Sequence, residues 1–130
     1  MTVVDASVLI DVVLQRGAGP SMQPRLLRAG VSLHVPHVAD LEVAQVLRRY
    51  QRTREVDPGR GSEALRDLAG LPLVRWPHQP FLARIWELRG SLTAYDAAYV
   101  SLAEALGMPL LTRDARLVRA KGHGARVEVV

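Results

Sequence analysis

The 130-residue chain is 48% hydrophobic and 23% charged, enough for one packed domain and too short for two. It has no cysteine, which excludes a disulfide framework, a thiolate metal site and thiol catalysis. Its formal net charge of +4 is carried almost wholly by arginine, with Lys121 the only lysine. The planar guanidinium suits phosphate, so the balance favours a nucleic-acid partner, although an arginine-rich codon bias produces the same composition.

In chain order, residues 2–4 form a short apolar run ending at Asp5 and read as a strand. Residues 7–15 have helical spacing, and Gly17, Gly19 and Pro20 then break the chain. Residues 24–29 read as part of a second helix stopped by Gly30. Residues 31–35 alternate as a strand does and end at Pro36. A long helix is predicted over residues 37–52, with Val43, Val46, Leu47 and Tyr50 on one face. Residues 53–61 are rich in turn formers, residues 63–69 form a short helix, and residues 71–75 a third strand that Pro72 pushes towards the edge. Residues 81–89 are helical. The clearest helix covers residues 93–106, with Tyr95, Ala98, Tyr99, Leu102 and Leu106 in a stripe and Gly107 and Pro109 ending it. A strand at 110–112, a short helix at 114–120 and a last strand at 127–130 complete the chain.

Strands separated by helices imply βαβ units, hence an α/β fold: a three-layer sandwich with a mostly parallel sheet. No run approaches the roughly 18 apolar residues of a membrane span. The apolar opening lacks a positive leader and is interrupted by Asp5 and Asp11, so a soluble, cytoplasmic protein is expected.

In open parallel sheets the working site lies beyond the carboxyl ends of the strands. Asp5 ends the first strand and Asp114 follows the 110–112 strand, while Glu42 and Asp96 lie early in their helices. Each also fits a local role. Asp5 and Asp114 suit helix caps, Asp96 suits a capping box begun by Thr93, and Glu42 suits solvent. Yet Glu42 and Asp96 border apolar stripes, where a carboxylate is costly unless something pairs with it. Four acids without histidine or cysteine favour magnesium or manganese over zinc. Such ions activate water and neutralise phosphoryl charge.

Three segments and the spacing that links them carry a resemblance: VVDASVLID at 3–11, ADLEVAQVLRR at 39–49 and LTAYDAAYVSLAEALGMPLLTRDARL at 92–117. Together they resemble a PIN domain, and more narrowly the VapC toxins of VapBC toxin–antitoxin pairs, across essentially the whole chain. The resemblance implies a sheet of about five strands between helices. It also implies cleavage of RNA with Mg2+ or Mn2+ held by an acidic cluster. Asp5, Glu42, Asp96 and Asp114 match that cluster, and Ser7 and Thr112 match supporting hydroxyls. It further implies a homodimer and a VapB-like antitoxin that delivers an arginine-bearing tail to the site. One departure stands out: some members carry a further acid two residues after the fourth, and here that position is Arg116. A single well-held ion is therefore expected. Asp11 reads as structural or solvated, and Asp40 as a cap or surface residue.

Arg48, Arg49, Arg52, Arg113, Arg116 and Arg119 are candidate RNA contacts, with Arg113 the foremost because it adjoins Asp114; each is equally compatible with a solvated helix face. Aromatic residues are too few, at 5%, for extensive base stacking. His34, His37, His78 and His123 show no spacing for acid–base work. Two assignments compete with a nuclease. A catalytically silent PIN-fold module that binds RNA or protein is disfavoured by the complete acid set. A receiver-like phosphotransfer domain is disfavoured by the position of Lys121.

Overall fold

Short apolar runs of three or four residues build the sheet: β1 (Thr2–Val4), β2 (Leu33–Pro36), β3 (Leu73–Trp76), β4 (Leu110–Thr112) and β5 (Val127–Val129). The computed structural model describes all 130 residues. The five strands lie in the order β3-β2-β1-β4-β5, and every neighbouring pair is parallel. Val3 and Val4 on β1, and Leu110 and Leu111 on β4, are buried. Adjacent residues on a strand face opposite ways, so both faces of the sheet are covered.

The helices are α1 (Ala6–Leu14), α2 (Gly19–Leu26), α3 (Val38–Arg52), α4 (Pro58–Gly70), α5 (Leu82–Glu87), α6 (Ala94–Leu106) and α7 (Arg116–Arg119). The first four pack on one another, while α5 packs on α6, which lies over β1, β2 and β4. This is the expected three-layer α/β fold. Helix α6 is buried without interruption from Ala97 to Ala103. Its alanines let its backbone approach the sheet, and an all-round apolar helix belongs inside. Gly107 ends it in the left-handed conformation at φ 63°. No helix is long and apolar enough to cross a membrane.

Three sequence expectations need correction. Helix α2 begins at Gly19, not Pro24, and ends at Leu26; Pro20 sits in its first turn. Helix α4 begins at Pro58, within the expected turn, and runs to Gly70. In both cases the proline occupies a position whose amide has no intrahelical partner, so it starts a helix where it was read as a break. Tyr95 is 60% exposed and leaves the buried stripe, which continues through Ala98, Tyr99 and Leu102. Pro72 precedes β3, which is the expected edge strand.

Candidate active site

The order of strands makes β1 and β4 direct neighbours at the centre of the sheet. Their carboxyl ends therefore leave side by side, which brings Asp5 towards the loop that carries Asp114. Asp5 stands at the N-cap position of α1, yet its side chain makes no capping bond. Its Oδ2 instead accepts from Ser7 Oγ at 2.6 Å and from Thr112 Oγ1 at 2.8 Å. Those two hydroxyls in turn accept from the backbone: Arg113 N–H donates to Ser7 Oγ and Asp114 N–H to Thr112 Oγ1, each at 3.0 Å. Two chains of amide, hydroxyl and carboxylate thus converge on one oxygen and fix the β1–α1 turn to the β4–α7 turn. Asp5 is buried, at 8% exposure.

Glu42 projects from the second turn of α3 and is half-buried. Tyr99, fully buried in α6, donates its hydroxyl to Glu42 Oε1 at 2.7 Å. Burial holds the Glu42 carboxyl above its ordinary range, against the Tyr99 bond that favours ionisation, and the nearby Asp5 and Asp96 charges raise it further. Asp96 lies in the first turn of α6, whose N-cap Thr93 accepts the Asp96 amide at 3.2 Å. Its carboxyl is also raised, by burial first and then by Asp5 and Asp114. The electrostatics thus links all four acids through one shared region. Tyr99 is pushed upward by burial and by the Glu42 and Asp5 charges, so it stays a neutral donor.

Asp114 differs from the other three. Arg116 grips both its oxygens, and this bonding holds the carboxyl below its ordinary range. Its Oδ1 also accepts the Arg116 amide at 2.9 Å, which closes the turn into α7, whose N-cap is Ala115 and not the expected Asp114. Asp5, Glu42 and Asp96 take part in no ion pair, although the chain has a net charge of +4. The acids form an open array, with no three acidic, histidine or cysteine side chains drawn into a ready-made ligand set.

The remaining candidates separate. Arg113 turns away from the acids: its guanidinium pairs with Asp11 at 3.1 Å and donates to the carbonyl of Val130 at 2.7 Å. Asp11 also accepts the Ala18 amide at 3.0 Å, so it has a structural role in joining α1 to the turn before α2. Arg48 shares a shallow groove with Glu42, Leu41 and Tyr95. Arg49 lies against the Tyr50 ring at 5.5 Å. Arg52, at the end of α3, is exposed. Arg119 lines a hollow with Arg116 and Lys121. Asp40 forms a two-pronged pair with Arg75 of β3 at 2.7 and 3.0 Å, which ties α3 to the edge strand. His34 accepts from Trp76 Nε1 at Nδ1, and His123 uses both ring nitrogens on backbone groups. His37 and His78 are exposed. Tyr99 is the site residue that pattern reading missed. Its place in an apolar stripe marked it as core, and only its hydroxyl opposite Glu42 reveals the second role.

Comparison with known proteins shows the family. The PIN domain family model matches residues 2–123. Ribonuclease VapC12 of Mycobacterium tuberculosis (strain ATCC 25618 / H37Rv) is 38% identical over 130 residues, covering 100% of this chain and 99% of the relative. Ribonuclease VapC9 of the same strain is 44% identical over 117 residues, covering 90% and 88%. The crystal structure of PAE2754 from Pyrobaculum aerophilum superposes with a TM-score of 0.71 at 27% identity, covering 97% of this chain and 82% of that one. VapBC2 from Rickettsia felis, bound to a DNA fragment from its promoter, shares the fold with a TM-score of 0.71 at 12% identity, covering 98% and 97%. The chain belongs to the PIN domain family and to its VapC group.

Proposed function

We propose that this protein is a Mg2+- or Mn2+-dependent endoribonuclease, the toxin of a toxin–antitoxin pair, with Asp5, Glu42, Asp96 and Asp114 as its catalytic set. One observation carries the reading. Three buried or half-buried carboxylates lie within electrostatic reach of one another without a cationic partner, beside a fourth at the same sheet edge. Such a cluster is costly unless a cation joins it. The donor set is all oxygen, as magnesium and manganese prefer, and magnesium keeps several waters beside one or two carboxylates. The open array therefore fits a hydrated ion.

Asp5, Asp96 and Asp114 are the residues that would hold the ion, directly or through water. When bound, it neutralises phosphoryl charge and makes water easier to deprotonate. Ser7 and Thr112 keep the Asp5 carboxylate in one orientation. Glu42 orients the attacking water and takes its proton, and burial holds its carboxyl above the ordinary range, which strengthens it as a base. Water oxygen bonds to phosphorus, the 3′-oxygen leaves and gains a proton, and the products carry a 5′-phosphate and a 3′-hydroxyl. Arg48, Arg49, Arg116 and Arg119 are the candidate contacts to the RNA backbone. Arg113 is set aside because its guanidinium is engaged elsewhere.

Relatives named as VapC ribonucleases support the activity. The VapBC2 neighbour supports the fold in which such a pair is built. We assign a VapB-like antitoxin as the partner, a homodimer as the working state and the cytoplasm as the compartment. The test is cleavage of a broad RNA pool by antitoxin-free protein, with mapping of product ends. Cleavage with either metal, its loss in EDTA and 5′-phosphate ends are expected. An uncut pool with both metals contradicts the proposal.

A further inference from the structure

Position 116 places an arginine that forms the only ion pair made by any of the four acids. The Arg116 Nε lies 3.0 Å from each Asp114 oxygen, and Nη2 lies 2.6 Å from Oδ2. With the Arg116 amide added at Oδ1, one carboxylate accepts from a single residue on both oxygens. Asp96 also feels the Arg116 charge. The guanidinium thus occupies lone pairs that a metal at Asp114 needs. The side chain is nevertheless 83% exposed, against 27% for Asp114. Exposed ion pairs are weak because water competes for both partners. Arg116 also borders a hollow with Arg119, Lys121, Ser91 and Glu87, whose carboxylate is paired with Arg84. The three cations outnumber that one paired acid and repel one another unless an anion such as phosphate fills the space.

We propose that Arg116 is a built-in counter-ion that competes with the divalent metal for Asp114, and that metal binding releases it into the hollow beside Arg119 and Lys121 to meet RNA phosphate. The proposal rests on the metal-dependent nuclease reading above. A divalent ion drawing also on Asp5 and Asp96 outcompetes one screened guanidinium, and its charge then repels that guanidinium. Phosphate in the hollow captures the released side chain. Metal and RNA therefore favour each other's binding, and this coupling is reciprocal.

The test is titration calorimetry with Mn2+ alone on wild type, Arg116→Ala, Arg119→Ala and Asp5→Asn, followed by steady-state cleavage. Arg116→Ala is expected to bind Mn2+ roughly fivefold more tightly, the size of one ion-pair contact in high dielectric, while Arg119→Ala, which makes no bond to Asp114, gains less. The same Arg116→Ala protein is expected to need less metal for half-maximal cleavage yet show a raised KM for RNA. Unchanged or weaker Mn2+ binding by Arg116→Ala, where wild type binds and Asp5→Asn does not, overturns the competition and leaves the nuclease reading standing. Tighter Mn2+ binding with an unchanged KM overturns the transfer to phosphate. If wild type takes up no Mn2+, the proposal and the metal-dependent reading fall together.

Discussion

The Tyr99 ring packs inside α6 while its hydroxyl holds Glu42 at 2.7 Å. That bond favours the ionised Glu42 against the effect of burial. Tyr99→Phe keeps the ring and removes the donor, so Glu42 becomes harder to ionise. The acid limb of the cleavage pH profile is expected to move to higher pH, with about 1 kcal/mol lost in chemical denaturation. An unmoved acid limb contradicts the role given to Glu42. Asp96 supports a second prediction. Its folded pKa is raised, so the folded state binds protons more readily than the unfolded chain, and its contribution to stability falls as pH rises through the carboxylate range. In EDTA at pH 7.5, Asp96→Asn is expected to melt about 2–4 °C above wild type. The gain should shrink as pH falls into the carboxylate range, where the raised wild-type carboxyl takes up its proton. Saturating Mg2+ should raise the wild-type Tm more than that of Asp96→Asn. Differential scanning fluorimetry checks all three comparisons.

Among the elements, the α1–α2 corner shows most directly how backbone contact sets the fold. A Cβ on Gly19 would lie 2.0 Å from the Asp11 carbonyl oxygen, which is backbone and has little room to yield. Gly19→Ala is therefore expected to destabilise by about 1–3 kcal/mol or more in urea denaturation. A neutral result would mean that α2 is free to shift away from α1. This corner was also where sequence reading erred. Pro20 and Pro58 look like interruptions, because proline inside a helix breaks it, but at a helix start the missing amide costs nothing. Helices α3 and α6 were legible because their periodicity is long and their ends are marked by Arg52–Thr53 and by Gly107. Tyr95 was misplaced because helical spacing identifies a stripe without saying where its border falls.

For the whole molecule, the legible part was the alternation of strands and helices and the placement of acids after β1 and β4. What sequence could not supply was direction. Arg113 adjoins Asp114 in the chain, yet its side chain runs to Asp11 and the Val130 carbonyl. Arg116 is one of many arginines until its fork is seen on Asp114. The bonds that join Asp5 to Thr112 and Ser7 to Arg113 span more than one hundred residues. They exist because β1 pairs with β4 in parallel register, Val4 beside Leu111. Parallel pairing at the centre of the order β3-β2-β1-β4-β5 thus converts separate acids into neighbours.

The central claim is that these four acids act as a set. Its most direct measurement is kcat/KM for RNA cleavage in Mn2+ by Asp5→Asn, Glu42→Gln, Asp96→Asn and Asp114→Asn, each compared with wild type and checked for folding by circular dichroism. A loss of about 100-fold or more in every folded variant is expected, since each removes charge from one shared site. Cleavage by Asp5→Asn at the wild-type rate would contradict the account.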